Sequence, residues 1–458
     1  MFRSFGLLYL QACLSAALLA AGPAAAWSNH ALATRPALAP LTGLAASASV
    51  EVESIERFLA AQGQALKDVL DEHERWAREH LPDYPPRPDA LRFEPGEASD
   101  PADLRRRFLA ALRLAPDARV EPYLQRLPGE SAEGRPMLPG AEVTTLRGDR
   151  VVARSQYVRL AAGDRVSPAD VLSTASDEPD YGMDLGLWAD NGTAHGRAYG
   201  FGPQPFGNPA LAFSSQAPIH MGFWHESPIV SAAAPFLKRT LPEYRITLFT
   251  ALARHALRAG HEYWGWRFAG WALHYVQDLT QPYHARVLPG LGTARMLWIN
   301  ALSLAGVTTP MAHAVTLVSN RHLALENFQR NALLAGHGDR PGAPGDAAPQ
   351  RLLAALAGGP DADPPASFAW DQARTVVARH AAASADSVDR TIAGALPARF
   401  VRDPGHEFGV DGDELDLFGL LASENPAARD AMIDLLVPLM SEYGAHTRAF
   451  VRALCGEP

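Results

Sequence analysis

Apolar positions recur at helical spacing along most of this chain. In Val52 to Trp76, Ile55, Phe58, Leu59, Leu66, Val69 and Leu70 share one face, which predicts a long amphipathic helix with His73 and His80 on its charged, solvated side. Upstream, Ala31 to Ala48 is rich in Ala, Leu and Pro and predicts a short helix and a turn. A further helix carries His274 and Asp278 and is stopped by Pro282. Helical patterns return at Ala369 to Ile392 and Asn425 to Leu454, after a Gly/Ala/Pro-rich linker from about Gly336 to Pro365. The pattern loosens from Leu81 to Leu172, where Pro82, Pro85, Pro86 and Pro88, the Arg105 to Arg107 cluster and a candidate hairpin over Val151 to Leu160 interrupt it. These elements predict an all-α chain with a loop and β-hairpin insertion.

One stretch has no ordinary surface pattern. From Arg295 to Val318 the chain is apolar on too many sides for a surface helix and is broken by Gly306 and Pro310. It reads either as a buried helical hairpin or as an apolar lip that touches lipid.

Candidate chemistry concentrates in the helix that Pro282 ends. Residues four apart share a helix face, so His274 and Asp278 can grip one cation, while Pro282 swings His284 elsewhere. His322 and Glu326 repeat the spacing. Imidazole and carboxylate suit zinc, and together these residues offer five ligands, enough for more than one metal site; either pair alone is equally an ordinary hydrogen bond.

The segment from Ala253 to His284, with its His274-x3-Asp278-x5-His284 core and Pro282 two residues before the last His, resembles the central helix of the zinc-dependent phospholipases C. The zinc-dependent single-strand nucleases share that superfamily and core. The resemblance extends to His322 and Glu326, is patchy upstream and is absent from much of the chain. Gln277 stands where the family usually has Gly. It implies a helical zinc phospholipase C-like bundle over residues 27–458, with 81–172 as an insertion and extra C-terminal helices over 366–458.

The chain opens with Arg3, an apolar run from Leu7 to Ala21 and an Ala24-x-Ala26 site, which predicts a signal peptide over residues 1–26 and an exported protein, periplasmic or extracellular. Leu10 to Cys13 makes a poor lipoprotein signal, because the apolar run continues past the cysteine. Cleavage after Ala26 would expose the amine of Trp27, a nitrogen ligand once a metal displaces its proton. Trp27-Ser-Asn-His30 resembles the family's opening, in which the terminal Trp and a nearby His bind one zinc; the plainer reading makes Trp27 an apolar anchor.

Carried over residue by residue, the resemblance implies three zinc ions. Asp180, His220 and His274 would hold one, Trp27 and His30 a second with Asp278 bridging the two, and His284, His322 and Glu326 a third. Asp180 and His220 compete with Asp184, His225 and Asp83 for their places. Three dications against three carboxylates leave a charge of about +3 to receive a phosphodiester, and water activated by the metals would attack phosphorus with Asp180 as general base. Tyr181 would lie near the lipid head group.

Composition narrows the reading further. Apolar residues make up 47% and charged residues 20%, as in a globular protein. Only Cys13 and Cys455 occur, so loss of the leader removes any intrachain disulfide, unlike the fungal nucleases, and core and metals must supply stability. The net charge of −9 and the absence of a Lys/Arg-rich run argue against a phosphate-backbone track, although metals can supply local positive charge. The tail carries no alternating strands for a membrane-binding β-sandwich of the alpha-toxin kind, and Asp411 to Asp416 lacks EF-hand spacing and reads as a solvated acidic turn.

The reading is therefore a secreted phospholipase C that hydrolyses the glycerol-side phosphodiester of phospholipids such as phosphatidylcholine at a membrane surface. It implies no nucleic-acid substrate and no obligate protein partner. A nuclease or other phosphoesterase on the same frame is the alternative, and a zinc-stabilised binding protein without turnover a third.

Overall fold

The computed structural model describes residues 29–96, 100–146, 150–338, 347–358, 368–408 and 415–456. The expected leader, Trp27 and Asp411 to Glu414 lie outside these residues. Within them the chain is mostly helical, as the periodicity predicts. Helix α1 (His30–Leu38) is followed by α2 (Ile55–His80), whose start is set by Ser54: its side chain accepts the Arg57 N–H. Ser167 caps α3 (Pro168–Ala175) in the same way. Next come the short α4 (Ala217–His220) and two long neighbours, α5 (Pro242–Arg258) and α6 (Glu262–Asp278). Pro282 opens α7 (Pro282–Ala285) at a position where a missing N–H costs nothing. The larger C-terminal elements are α8 (Thr293–Leu304), α9 (Thr309–Gly336), α10 (Ala378–Ala395) and α11 (Pro426–Cys455).

Helix α6 lies at the centre. Every side chain from Tyr263 to Asp278 is buried, with α5, α3 and α11 packed around it. Gly270 permits the approach of α3, since a Cβ there would meet the Cβ of Ala175 at 2.5 Å and the carbonyl of Leu172 at 2.7 Å. Two buried ion pairs then fasten the loop after α3: Arg267 on α6 to Glu178 (2.9 Å), and Arg245 on α5 to Asp184 (2.6 Å). Trp271 Nε1 also donates to Glu178. Asp180 lies between these two anchors.

The segment read as an insertion holds most of the sheet structure. Strand β2 (Tyr123–Arg126) pairs antiparallel with β4 (Gln156–Arg159), which also pairs with β3 (Met137–Leu138); β1 (Val50–Glu51) pairs with β5 (Arg165–Val166). The candidate hairpin over 151–160 is therefore corrected. Residues Arg150–Arg154 form a helical turn, and the following strand is the centre of a three-stranded sheet with partners 33 and 19 residues upstream, counting from Tyr123 and Met137 to Gln156.

Three other local expectations change. His73 is buried against α5 rather than solvated, its Nε2 donating to Thr247 Oγ1 (3.0 Å), while His80 is exposed as expected. The linker contains a helix, Ala348–Ala357. Residues 295–318 do form a helical hairpin, but its first helix is buried on one face only: Met296 and Ile299 are buried, whereas Leu297, Leu304 and Val307 are exposed and Trp298 is 65% exposed. No described helix is long and apolar enough to cross a membrane.

Candidate metal centre

The ends of short elements converge on the inner face of α6. His274 and Asp278 are one turn apart there, and His30, the first residue of α1, faces both. His220 is the last residue of α4, and Asp180 lies in the turn Glu178–Tyr181. After α6 ends, Gln281 accepts the Tyr283 N–H (2.7 Å) and sets α7, which brings His284 to His322 and Glu326 on α9.

Three groups emerge whose donor atoms lie within 4.8 Å of one another: His30, His274 and Asp278; Asp180, His220 and His274; and His284, His322 and Glu326. Asp278 divides its carboxylate between the first two. Its Oδ1 is 3.4 Å from His30 Nε2, and its Oδ2 is 2.8 Å from His220 Nδ1 and 3.2 Å from His274 Nε2. Asp180 Oδ1 lies 3.6 and 3.7 Å from the same two nitrogens.

Hydrogen bonds behind the cluster define which nitrogens face inward. His274 Nδ1 donates to the Ser176 carbonyl (2.7 Å) and His284 Nδ1 to the His220 carbonyl (3.2 Å). His220 Nε2 donates to Asp184 Oδ2 (3.2 Å), which also accepts from Tyr275 Oη (2.6 Å). His30 Nδ1 donates to Gln277 Oε1 (2.9 Å); the amide of Gln277 is oriented because its nitrogen donates to Thr34 and Thr447. Each neutral ring thus turns a lone pair towards its neighbours, the arrangement that orients imidazole ligands on a metal. His220 Nδ1 and His274 Nε2, two such acceptors, are 3.0 Å apart beside two carboxylates. Four acceptors meeting there can be satisfied by shared protons or by a metal ion between them.

The orphaned atoms carry the same message. His30 Nε2, Asp278 Oδ1, His284 Nε2, His322 Nε2 and Glu326 Oε2 are buried without an aligned hydrogen-bond partner, although His30 Nε2 faces Asp278 Oδ1 at 3.4 Å and His322 Nε2 faces Glu326 Oε1 at 2.6 Å. A buried polar atom left unsatisfied costs about 1–3 kcal/mol, so five in adjoining groups are not an economical way to build a core. The residues fit metal ions in donor type, tautomer and direction.

The electrostatics of the side chains reflect burial and the crowding of acceptors. Burial opposes charge on His30 and His220, yet the first is carried up to about 9 by its contact with Asp278, and the second to about 10 by its hydrogen bonds to Asp184 and Asp278. Asp278 resists burial too and is held well below the usual carboxylate range, chiefly by the charge of His274. At the third group burial dominates, pushing His284 and His322 down to about 3 and Glu326 well up. Protons are taken up where acceptors crowd together, and a bound dication would displace them.

Among the competing residues, Asp184 supports His220 from behind, whereas His225 bonds the Arg374 carbonyl and Asp83 is exposed in a turn. Tyr181, expected at the head group, is 6% exposed, with its hydroxyl shared between Tyr157 and Gln125. As it stands, its side chain belongs to the packing beneath the turn. Asp177 was not singled out by sequence: its carboxylate accepts the backbone N–H groups of His30 and Ala31 and so seats the start of α1, and burial raises it to about 6. Nothing in its local sequence distinguishes it from the other carboxylates of the loop. Gln277 was visible only as a departure from a pattern, and its role in orienting His30 emerges from the fold.

No family model, curated protein or solved structure matches the chain. What characterises it is carried by its own residues: adjoining buried His, Asp and Glu groups that could hold metal ions.

Proposed function

We propose that this chain is a zinc-dependent phosphodiester hydrolase of the phospholipase C type, built on the helical bundle that its central motif resembles. The observation that carries the reading is the divided carboxylate of Asp278, which faces His30 through one oxygen and His220 and His274 through the other, as a bridge between two metals must. His284, His322 and Glu326 would hold a third ion, and processing after Ala26 would add the Trp27 amine near His30. Bound zinc would supply an activated water and positive charge for a phosphodiester.

The chain's own residues then have distinct tasks. Asp180 is the carboxylate of the central cluster with solvent access, its side chain 20% exposed against 0% for Asp278, so it is placed to accept a proton from water entering the site. Asp184, Gln277 and the Ser176 carbonyl hold three imidazoles in the tautomer that binds. The exposed Leu297, Trp298, Leu304 and Val307 lie on the hairpin whose second helix carries His322 and Glu326, an apolar surface suited to a lipid interface rather than to nucleic acid.

The test is metal content of the processed, secreted protein together with release of phosphocholine from phosphatidylcholine vesicles and cleavage of single-stranded DNA in one preparation. At least three zincs per chain with phosphocholine release is the expected result. DNA cleavage without lipid turnover would replace it by the nuclease alternative, bound zinc with neither activity by a zinc-stabilised binding protein, and less than one metal per chain would overturn the ligand assignment.

A further inference from the structure

Outside the central cluster, α10 and α11 bring together His380, Glu442 and His446. Glu442 and His446 are one turn apart on α11, and His380 reaches across from α10. Both imidazoles address the same oxygen: His446 Nε2 is 3.2 Å and His380 Nδ1 3.5 Å from Glu442 Oε2. His446 is 3% exposed, and neither of its ring nitrogens has an aligned hydrogen-bond partner. A buried imidazole whose ring nitrogens lack aligned hydrogen bonds is costly, and His446 lines a cavity of about 260 Å³ together with Thr280, Ser384 and Ser387. His380 and Glu442 are half exposed and leave a path for an ion.

We propose that His380, Glu442 and His446 form a separate binding site for a divalent transition-metal ion of the zinc class. Two imidazoles and one carboxylate are the borderline donor set zinc favours, and the three leave a fourth position open to the cavity. The ion would cross-link α10 to α11. Because α10 also packs on α7, the link would brace the element that carries His284. The site does not depend on the phosphodiesterase reading, since its ligands belong to none of the three central groups.

The experiment measures zinc per chain by mass spectrometry, and Tm with and without added Zn²⁺, in the full processed protein and in His380→Ala and Glu442→Gln. His380 is exposed enough for its replacement to leave folding intact, and His322→Gln serves as a control that disturbs the central cluster alone. The expected result is one equivalent fewer, or bound roughly tenfold or more weakly, in both α10 and α11 variants, with part of the zinc-induced rise in Tm lost. His322→Gln should retain that equivalent. Equal zinc content and equal Tm shifts in wild type, His380→Ala and Glu442→Gln would overturn the proposal. A central cluster that failed to bind would lower all the totals alike and leave the difference intact.

Discussion

Gln277 shows how much of a candidate metal centre can rest on a residue outside the ligand set. Its carboxamide is fixed by Thr34 and Thr447, so its oxygen can only accept, and His30 Nδ1 must carry the proton that leaves Nε2 free to bind. Gln277→Ala would remove that constraint while leaving every donor of the cluster in place. Metal affinity at the His30 group should fall about 10–100-fold, read by competition with a chelator, with the His284, His322 and Glu326 group unaffected. Equal affinity in both proteins would show that packing alone orients His30. At this scale the pairs His274/Asp278 and His322/Glu326 were legible, because helical periodicity places residues four apart on one face. The choice of Asp180 over Asp184 was not, since both lie in one loop and differ only in which side of His220 they approach.

At the scale of elements, the centre depends on a loop clamped at both ends. Arg267 is buried with Glu178, and its removal would leave a carboxylate without its cation in the core. Arg267→Met should cost about 3–5 kcal/mol in the free energy of unfolding measured by urea titration. Because the turn after Glu178 carries Asp180, activity should fall at temperatures where the variant is still folded. The hairpin of α8 and α9 makes a different prediction. Replacing Trp298 by Ser removes a large apolar group that is exposed and packs little, so stability should change by less than about 0.5 kcal/mol. Under the lipase reading, turnover on phosphatidylcholine vesicles should drop ~10-fold while turnover of a short-chain monomeric substrate stays the same. Loss on both substrates would assign Trp298 to the site rather than to the lipid surface. Whether this hairpin was buried or exposed could not be told from hydropathy: the same apolar residues satisfy both, and only the position of the neighbouring helices decides.

For the whole molecule, stability should depend on acid through a residue outside the candidate centre. His73 joins α2 to α5, and burial, reinforced by the charges of Arg113 and Arg87, pushes its imidazole down to about 3. The unfolded chain takes up a proton there near pH 6.5, so between about 6.5 and 3 it binds more protons than the folded chain. This contribution is complete above pH 6.5 and is lost as pH falls towards 3, by up to a few kcal/mol. His73→Gln keeps a donor for Thr247 and should flatten the acid side of the unfolding free energy by as much as one proton. An unchanged slope would mean that other groups carry the acid sensitivity.

The sequence by itself determined that the chain is helical, because that needs only local periodicity, caps and the stops at Pro282 and Pro310. It also determined the two helical candidate pairs, His274/Asp278 and His322/Glu326, whose geometry is internal to one element. The tertiary structure decided everything that depends on distance through space. It set Asp184 behind His220, turned Gln277 from a departure into a support, buried His73, and joined β4 to strands far upstream. It also brought His380 to Glu442 and His446 across two helices. The physical reason is the same in each case. Helical spacing is fixed by bonds within one turn, whereas the partner of a buried polar atom is chosen by how whole elements pack.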